Sequence, residues 1–306
     1  MTLSAQPSQP GPAVPAANRS VVSQPAVTSR RMARRLLSGT GCASVTAYRY
    51  DGTEPVVVLH ALDTDGRVLV AARPDGGHVL AQVGSGAATE VRLDVTLEAA
   101  EAGMRITTAS AHLLGTLTWL ADAEAARVLA GEAAGCHCPV TGEDPLAGLA
   151  ALAQAPGGRL GVIETERVIV HDALGVSGHA MTEVLDPDAG GAPALLWSAF
   201  DEVSAQEEVG GLGDAVLDVL CGGVVEGDVP GIVCSHRPAE GLSPSLWDRV
   251  LCVDVAPDAV TLMRLGRGGV DTVLVRLPAG ILRACQVAPA LTEMVQDVLV
   301  ERLLRP

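Results

Sequence analysis

The stretch Val56-Val57-Val58-Leu59-His60-Ala61-Leu62-Asp63-Thr64-Asp65-Gly66-Arg67-Val68-Leu69-Val70-Ala71-Ala72-Arg73-Pro74-Asp75-Gly76-Gly77 decides the fold class. Two apolar runs, Val56 to Leu62 and Val68 to Ala72, are separated by Asp63-Thr64-Asp65-Gly66 and followed by Pro74-Asp75-Gly76-Gly77. Asp-Gly permits the positive φ of tight hairpin turns, and β-branched runs between such turns read as strands. The pattern continues on both sides. Cys42 to Tyr50 alternates small or apolar with polar residues and stops at Asp51-Gly52. Glu90 to Leu97 is a further strand, Glu98 to Gly103 a turn, and Met104 to Leu117 a long or bent strand. A meander of five mostly antiparallel strands predicts a small barrel or sandwich.

The 306-residue chain has room for two domains. Its hydrophobic content, 48%, permits a sizeable core, but aromatics are only 2%, so Ala, Val and Leu must fill it. Net charge is −15. Residues 1–35 hold five Arg and no acid, which leaves 16 Arg against 36 acids in the rest. An acidic body with few stacking aromatics argues against nucleic-acid binding and offers an acidic surface to a protein partner. All 21 basic residues are Arg. The absence of Lys excludes a Schiff base, a Walker lysine and a Ser-Lys dyad.

Residues 1–28, rich in Pro, Ala, Ser and Gln, carry no long apolar run and no periodicity, and read as disordered. No run of 18 apolar residues predicts a membrane span. Ser29 reads as the cap of a short helix with Met32, Leu36 and Leu37 on its apolar side and Arg30, Arg31, Arg34 and Arg35 around it. Seven cysteines, an odd number without a framework, point to a reducing compartment, the cytoplasm. Cys136-His137-Cys138 lacks a second ligand pair at zinc-site spacing, so no metal is expected.

After the meander, Trp119 to Ala134 and Asp144 to Ala153 read as helices, the second opened by Asp144-Pro145 and closed by Pro156-Gly157-Gly158. Leu160 to Val170, interrupted by Glu164, Thr165, Glu166 and Arg167, is a strand returning to close the barrel. Glu164 and Glu166 face one side, with Arg159 and Arg167 expected to balance their charge. Residues 179–194, centred on Asp186-Pro187-Asp188-Ala189-Gly190-Gly191, read as a linker. Leu195 to Cys221 is largely helical, weakened or broken midway at Gly210-Gly211. Three strands follow at Arg249 to Val255, Val260 to Leu265 and Thr272 to Leu277. A last helix buries Leu291, Met294, Val295, Val298 and Leu299. The predicted class is α+β: a split β-barrel domain over residues 29–178, then a small helix–three-strand–helix domain over residues 195–306.

This order resembles the FMN-binding split barrel of the pyridoxamine-phosphate-oxidase-like superfamily. Val57 to Arg67 and Arg92-Leu93-Asp94-Val95-Thr96-Leu97 look like that family's second and fourth strands. The C-terminal module looks like the small domain of unknown function that follows such barrels in haem-utilisation proteins of the haem-oxygenase-like type and in a plant regulator of glutamyl-tRNA reductase. The resemblance implies a homodimer, with FMN, or less readily haem, at the barrel interface. Its phosphate-binding loop corresponds to Arg73 through Gln82. There Arg73 and His78 match the family's donors, while its Thr and Asn have no counterpart and Asp75 adds a like charge. His60 lies on a strand facing the barrel or the dimer cleft, where a lone His is either a satisfied core residue or a cofactor contact. Haem would need an imidazole, and His236 is the one His of the C-terminal domain.

Two functions follow. One is a flavin- or haem-binding protein with oxidoreductase-like chemistry. The other is a non-catalytic binding or regulatory protein that kept the barrel and lost the cofactor. Neither a dinucleotide-binding glycine motif nor Gly-x-Ser-x-Gly occurs in the required context, and no Ser, His and acid are grouped by spacing.

Overall fold

The computed structural model describes residues 19–50, 53–63, 65–99, 104–130, 145–186, 197, 199–240 and 242–304. The Cys136-His137-Cys138 cluster and residues 187–194 of the expected linker lie outside them, while its first half, 179–186, is the end of a strand and a short helix packed on the barrel core.

A helix, α1 (Arg19–Leu37), precedes the strands β1 (Cys42–Thr46), β2 (Val56–Leu62), β3 (Val68–Ala72), β4 (Ala88–Glu98) and β5 (Thr107–Trp119), with a short helix α2 (Val79–Gln82) between β3 and β4. Helices α3 (Asp122–Leu129) and α4 (Pro145–Gln154) lead to β6 (Arg159–Glu164), β7 (Arg167–Asp172), β8 (Gly175–Ala180) and α5 (Met181–Leu185). The strand order is β4-β1-β2-β3-β6-β5-β7-β8, and β4 also pairs with β5. The first six therefore close a barrel, and β7 and β8 extend from it as a flap.

The Leu160 to Val170 stretch is two strands rather than one. β6 pairs with the end of β5 through Leu117↔Ile163 and Trp119↔Gly161, whereas β7 pairs with its beginning through Ser110↔His171 and His112↔Ile169. Between them the chain turns a corner at Thr165, whose hydroxyl donates to Leu114 O at 2.7 Å. A Cβ at Gly115 would collide with the Glu164 carbonyl, so glycine permits the close approach of β5 and β6 that precedes the corner. A run of β-branched residues conceals such a corner, because each half satisfies the strand pattern.

Alternation places Val58, His60 and Leu62 of β2, Val68 and Val70 of β3, and Val91, Leu93 and Val95 of β4 inside the barrel. Ala33, Leu36 and Leu37 of α1, all fully buried, join this core from one end. Outward residues Ala61, Leu69, Ala71, Leu160 and Val162 are covered by Leu146 and Leu149 of α4. The Asp63 to Arg67 turn is held by the buried Asp63 carboxylate, which accepts from Arg67 N at 2.7 Å and from Arg67 Nε at 2.6 Å. Gly66 adopts φ +79° there, and a side chain on it would strike Leu185.

The helix was expected to begin at Ser29, after an unstructured segment reaching residue 28. Instead α1 starts at Arg19, and Ser29 is 1% exposed within it, 3.0 Å from His179 Nε2. Tertiary docking supplies what local composition lacks, since Thr28 donates to Asp258 at 3.1 Å.

The C-terminal module holds α6 (Ala199–Gly210), α7 (Asp214–Glu226), β9 (Gly231–Arg237), β10 (Arg249–Ala256), β11 (Ala259–Gly266), β12 (Gly269–Arg276) and α8 (Val287–Leu304). Its sheet runs β10-β11-β12-β9 and shares a core with the three helices. The expected long helix is broken after Gly210, with Gly213 at φ +86° before α7. The three predicted strands are present. The fourth, β9, is a half-exposed edge strand with no apolar alternation to announce it. β8 is likewise an edge strand, poor in apolar residues.

The barrel and the module meet on α1. Arg35 binds Glu202 of α6 and Asp254 of β10, each at 2.7 Å, and Arg31 pairs with Asp258. Arg31 and Arg35 are thus partners of the acidic module, a role composition alone does not disclose.

Candidate functional site

The three ligand candidates read from the sequence fall in three different places. His60 is 5% exposed inside the barrel, and its Nε2–H donates to Leu36 O at 2.6 Å. Burial pushes its pKa below the usual 6.5, against the opposing pull of that carbonyl. Because the unfolded chain binds a proton here more readily than the folded one, stability falls as pH drops below about 6.5. In an NMR titration, the His60 ring signal should stay that of neutral imidazole until acid unfolding begins. A free titration near pH 6.5 would contradict its burial.

His78 caps α2. Its Nδ1 accepts from Leu80 N at 3.1 Å, and Nε2–H donates to Glu54 O at 3.0 Å. Both ring nitrogens are therefore spent on backbone. Arg73 is exposed and has no hydrogen bond or ion pair among the described residues. It lines a depression of about 430 Å³ with Asp75, Gly76, Gly157, Gly158 and Arg159. Arg159 is anchored there by bonds from Nη1 to Leu80 O (3.1 Å) and Val83 O (2.7 Å), with its guanidinium over the Trp119 ring. This places Arg159 at the far end of β6 from Glu164 and Glu166, so it does not balance their charge.

A groove of about 1000 Å³ opens on the outer face of the barrel, where β5 leaves β6 for β7. Alternation along β5 sends His112, Leu114 and Thr116 outward, and β4 contributes Arg92. The corner supplies Glu164, Thr165, Glu166 and Arg167, and β7 supplies Ile169. Leu114 and Ile169 are 59% and 47% exposed, an apolar strip among charges. Arg167, Glu164 and Glu166 carry no ion pair among the described residues, so the groove presents one free cation between two free carboxylates.

His112 and Arg92, which line this groove, belong to a polar array that the linear spacing hides. Asp94 and His112 face each other across β4–β5, as Ser110 and His171 do across β5–β7. His112 Nδ1 makes a short hydrogen bond to Asp94 Oδ1, which also accepts from Arg92 Nε at 2.7 Å. His112 Nε2 lies 3.3 Å from Ser110 Oγ. The His171 ring packs edge-on against His112 with centroids 5.2 Å apart. Asp94, Ser110 and His112 come from two strands, and only the antiparallel register brings them together.

Elsewhere the chemistry is quieter. His236 bonds to Asp271 through Nδ1 at 2.6 Å, on the exposed edge of the C-terminal sheet. Burial raises Cys234 to about 11 and Cys221 to about 12, so both remain thiols. Among the described residues no three His, Cys, Asp or Glu side chains form a metal cluster, and no helix is long and apolar enough to cross a membrane.

No protein-family model matches the sequence, and no curated protein matches it. Among solved structures, the chain is similar to a haem-binding protein from Mycobacterium smegmatis at 14% identity, over 89% of this chain and 98% of that one, with a TM-score of 0.44. It is also similar to a protein of unknown function from Agrobacterium tumefaciens at 13% identity, over 93% and 100% of the two chains, with a TM-score of 0.34.

Proposed function

We propose that this chain is a cofactor-binding split-barrel protein that holds a planar, anionic redox cofactor of the flavin or haem type in the groove between β5 and the β6–β7 corner. The observation that carries this reading is the groove itself. It has about 1000 Å³ of space, an apolar strip at Leu114 and Ile169, and Arg167 unpaired among the described residues. An aromatic ring system packs on such a strip, and the fork of a free guanidinium fits a phosphate or carboxylate. A flavin would supply hydride and single-electron chemistry. The residues here would bind and orient it, with the ring system displacing water from Leu114 and Ile169. A haem would use the imidazole that lines the groove, His112.

A flavin finds additional support at Arg73, whose free guanidinium beside Arg159 and the Gly157-Gly158 turn offers a second cradle for phosphate. The same reading includes a homodimer. Leu114, Ile169 and Val176 are exposed on adjacent strands, and Glu164, Glu166 and Arg167 offer both signs of charge to a two-fold copy. Two copies meeting across the groove would roof it.

Titrating the purified protein with FMN and with haemin, followed by flavin fluorescence and the Soret band, tests the proposal. Saturable binding of one of them is expected. Arg167→Ala should weaken it by roughly 10–100-fold, the equivalent of a charged hydrogen bond of about 1.5–3 kcal/mol. If neither ligand saturates at millimolar concentration, the cofactor-free regulatory protein becomes the better account. Binding that is unaffected by Arg167→Ala but lost in Arg73→Ala would move the anion to the Arg73 depression.

A further inference from the structure

The polar array beside the groove has a geometry that goes beyond offering an imidazole to a haem. We infer that Ser110, His112 and Asp94 form a nucleophile–base–orienter relay that hydrolyses carboxylic esters with a small apolar acyl group.

The three roles follow from the contacts. An ionised carboxylate only accepts, so the short bond between Asp94 Oδ1 and His112 Nδ1 places the ring proton on Nδ1, and Arg92 Nη2, 3.3 Å from the same nitrogen, is then a neighbour of that N–H and not a donor to it. That tautomer leaves Nε2 with a lone pair, 3.3 Å from Ser110 Oγ. Base and nucleophile are therefore within reach, and the base is oriented by a third group, which is the recognisable arrangement of an activated serine. Arg92 fixes the orienter through its 2.7 Å bond to the same oxygen. His171 sits opposite Ser110 in the β5–β7 ladder with its ring edge-on to His112, and it is the group assigned to donate to the developing oxyanion. The acyl group finds its surface at Leu114 and Ile169, which flank His112 along β5 and across to β7.

The step balances without any cofactor. Ser110 Oγ bonds to the acyl carbon as its proton passes to His112 Nε2. The ester C–O bond breaks, and the departing alkoxide takes that proton and leaves as alcohol. Water then attacks the acyl-serine, giving a proton to Nε2. The carboxylic acid leaves, and the proton returns to Ser110 Oγ. The net reaction consumes one ester and one water.

The site lies on the outer face of a sheet whose core is elsewhere, so substitutions here spare the fold. Full-length protein without added cofactor is treated with a fluorophosphonate probe and, separately, with p-nitrophenyl butyrate. The expected results are a covalent adduct on the peptide containing Ser110 and an initial burst of p-nitrophenol. Ser110→Ala should abolish both, with the melting temperature and the FMN or haemin titration unchanged. Asp94→Asn should lower the steady-state rate by about 100-fold or more, since it removes the group that fixes the tautomer. No adduct on Ser110, or hydrolysis by Ser110→Ala within twofold of the parent, overturns the relay. In the latter case the imidazole alone would be attacking the ester. Because neither assay contains a cofactor, failure here leaves the cofactor reading standing, and failure of the cofactor titration leaves the relay standing.

Discussion

Replacing Arg35 with Met should destabilise the protein by about 3–5 kcal/mol, the usual consequence of removing one member of a buried ion-pair cluster. The guanidinium sits between Glu202 and Asp254, and the three side chains are 14%, 16% and 11% exposed. Met fills a similar volume, so the effect is electrostatic: two carboxylates are left facing each other away from water. Burial opposes the charge on Arg35, but Asp254 and Glu202 outweigh it and hold the group firmly protonated. Burial also pushes Glu202 up to about 7. Arg35 pulls it down, and Asp254 pushes it further up. The Glu202 carboxyl therefore holds its proton in the folded state well above the ordinary value of 4.5. Between these two values the folded state binds more protons than the unfolded one, so stability is highest below about 4.5 at this residue and is lost as pH rises towards 7. Glu202→Gln should flatten that dependence. Urea unfolding of the parent, Arg35→Met and Glu202→Gln at pH 5 and 8 checks both statements. An Arg35→Met midpoint equal to the parent's would mean that the cluster does not join the barrel to the module.

Trp119→Ala should cost a similar amount, about 3–5 kcal/mol for a large aromatic removed from a packed site. Trp119 is 1% exposed at the end of β5, the largest fully buried side chain in the protein. Its indole Nε1–H donates to Leu80 O at 3.0 Å, and its ring carries the Arg159 guanidinium 4.8 Å from the centroid. Gly161 lies against the ring, where a Cβ would come within 2.9 Å of it. Trp119→Phe keeps most of the packing and loses the hydrogen bond, so it should cost about 0.5–1.5 kcal/mol for that bond plus a small repacking term. Thermal melts of both variants test this. Equal melting temperatures for Ala and Phe would show that the ring's volume is not what holds that end of the barrel.

The arrangement of strands was legible where short-range chemistry determines it. Asp63 to Gly66 forms its turn because a buried carboxylate and a positive-φ glycine are both present in the sequence at the right positions. Apolar alternation in β2, β3 and β4 fixes which residues face the core, because the side-chain period of a strand is two. Gly210 and Gly213 bound the break between α6 and α7, since glycine gives up the most backbone freedom in a helix and alone enters positive φ at little cost. The α+β class and the order of barrel followed by module were determined at that level.

What the sequence could not fix was anything that depends on two segments meeting. The corner at Thr165 exists because β6 and β7 pair with different halves of β5, and neither half looks unlike a strand. The burial of Ser29 and the anchoring of Thr28 follow from docking against the barrel and Asp258, not from helix propensity. His78 reads as a phosphate donor in the sequence, yet both of its nitrogens are taken by Leu80 N and Glu54 O, the latter 24 residues away. Asp94, Ser110 and His112 lie 18 and two residues from one another by number, a spacing without meaning until β4 and β5 are set in register. Side chains on an antiparallel pair become neighbours through cross-strand hydrogen bonding. The sequence determined the strands, and the tertiary structure alone decided which functional groups they bring within bonding distance.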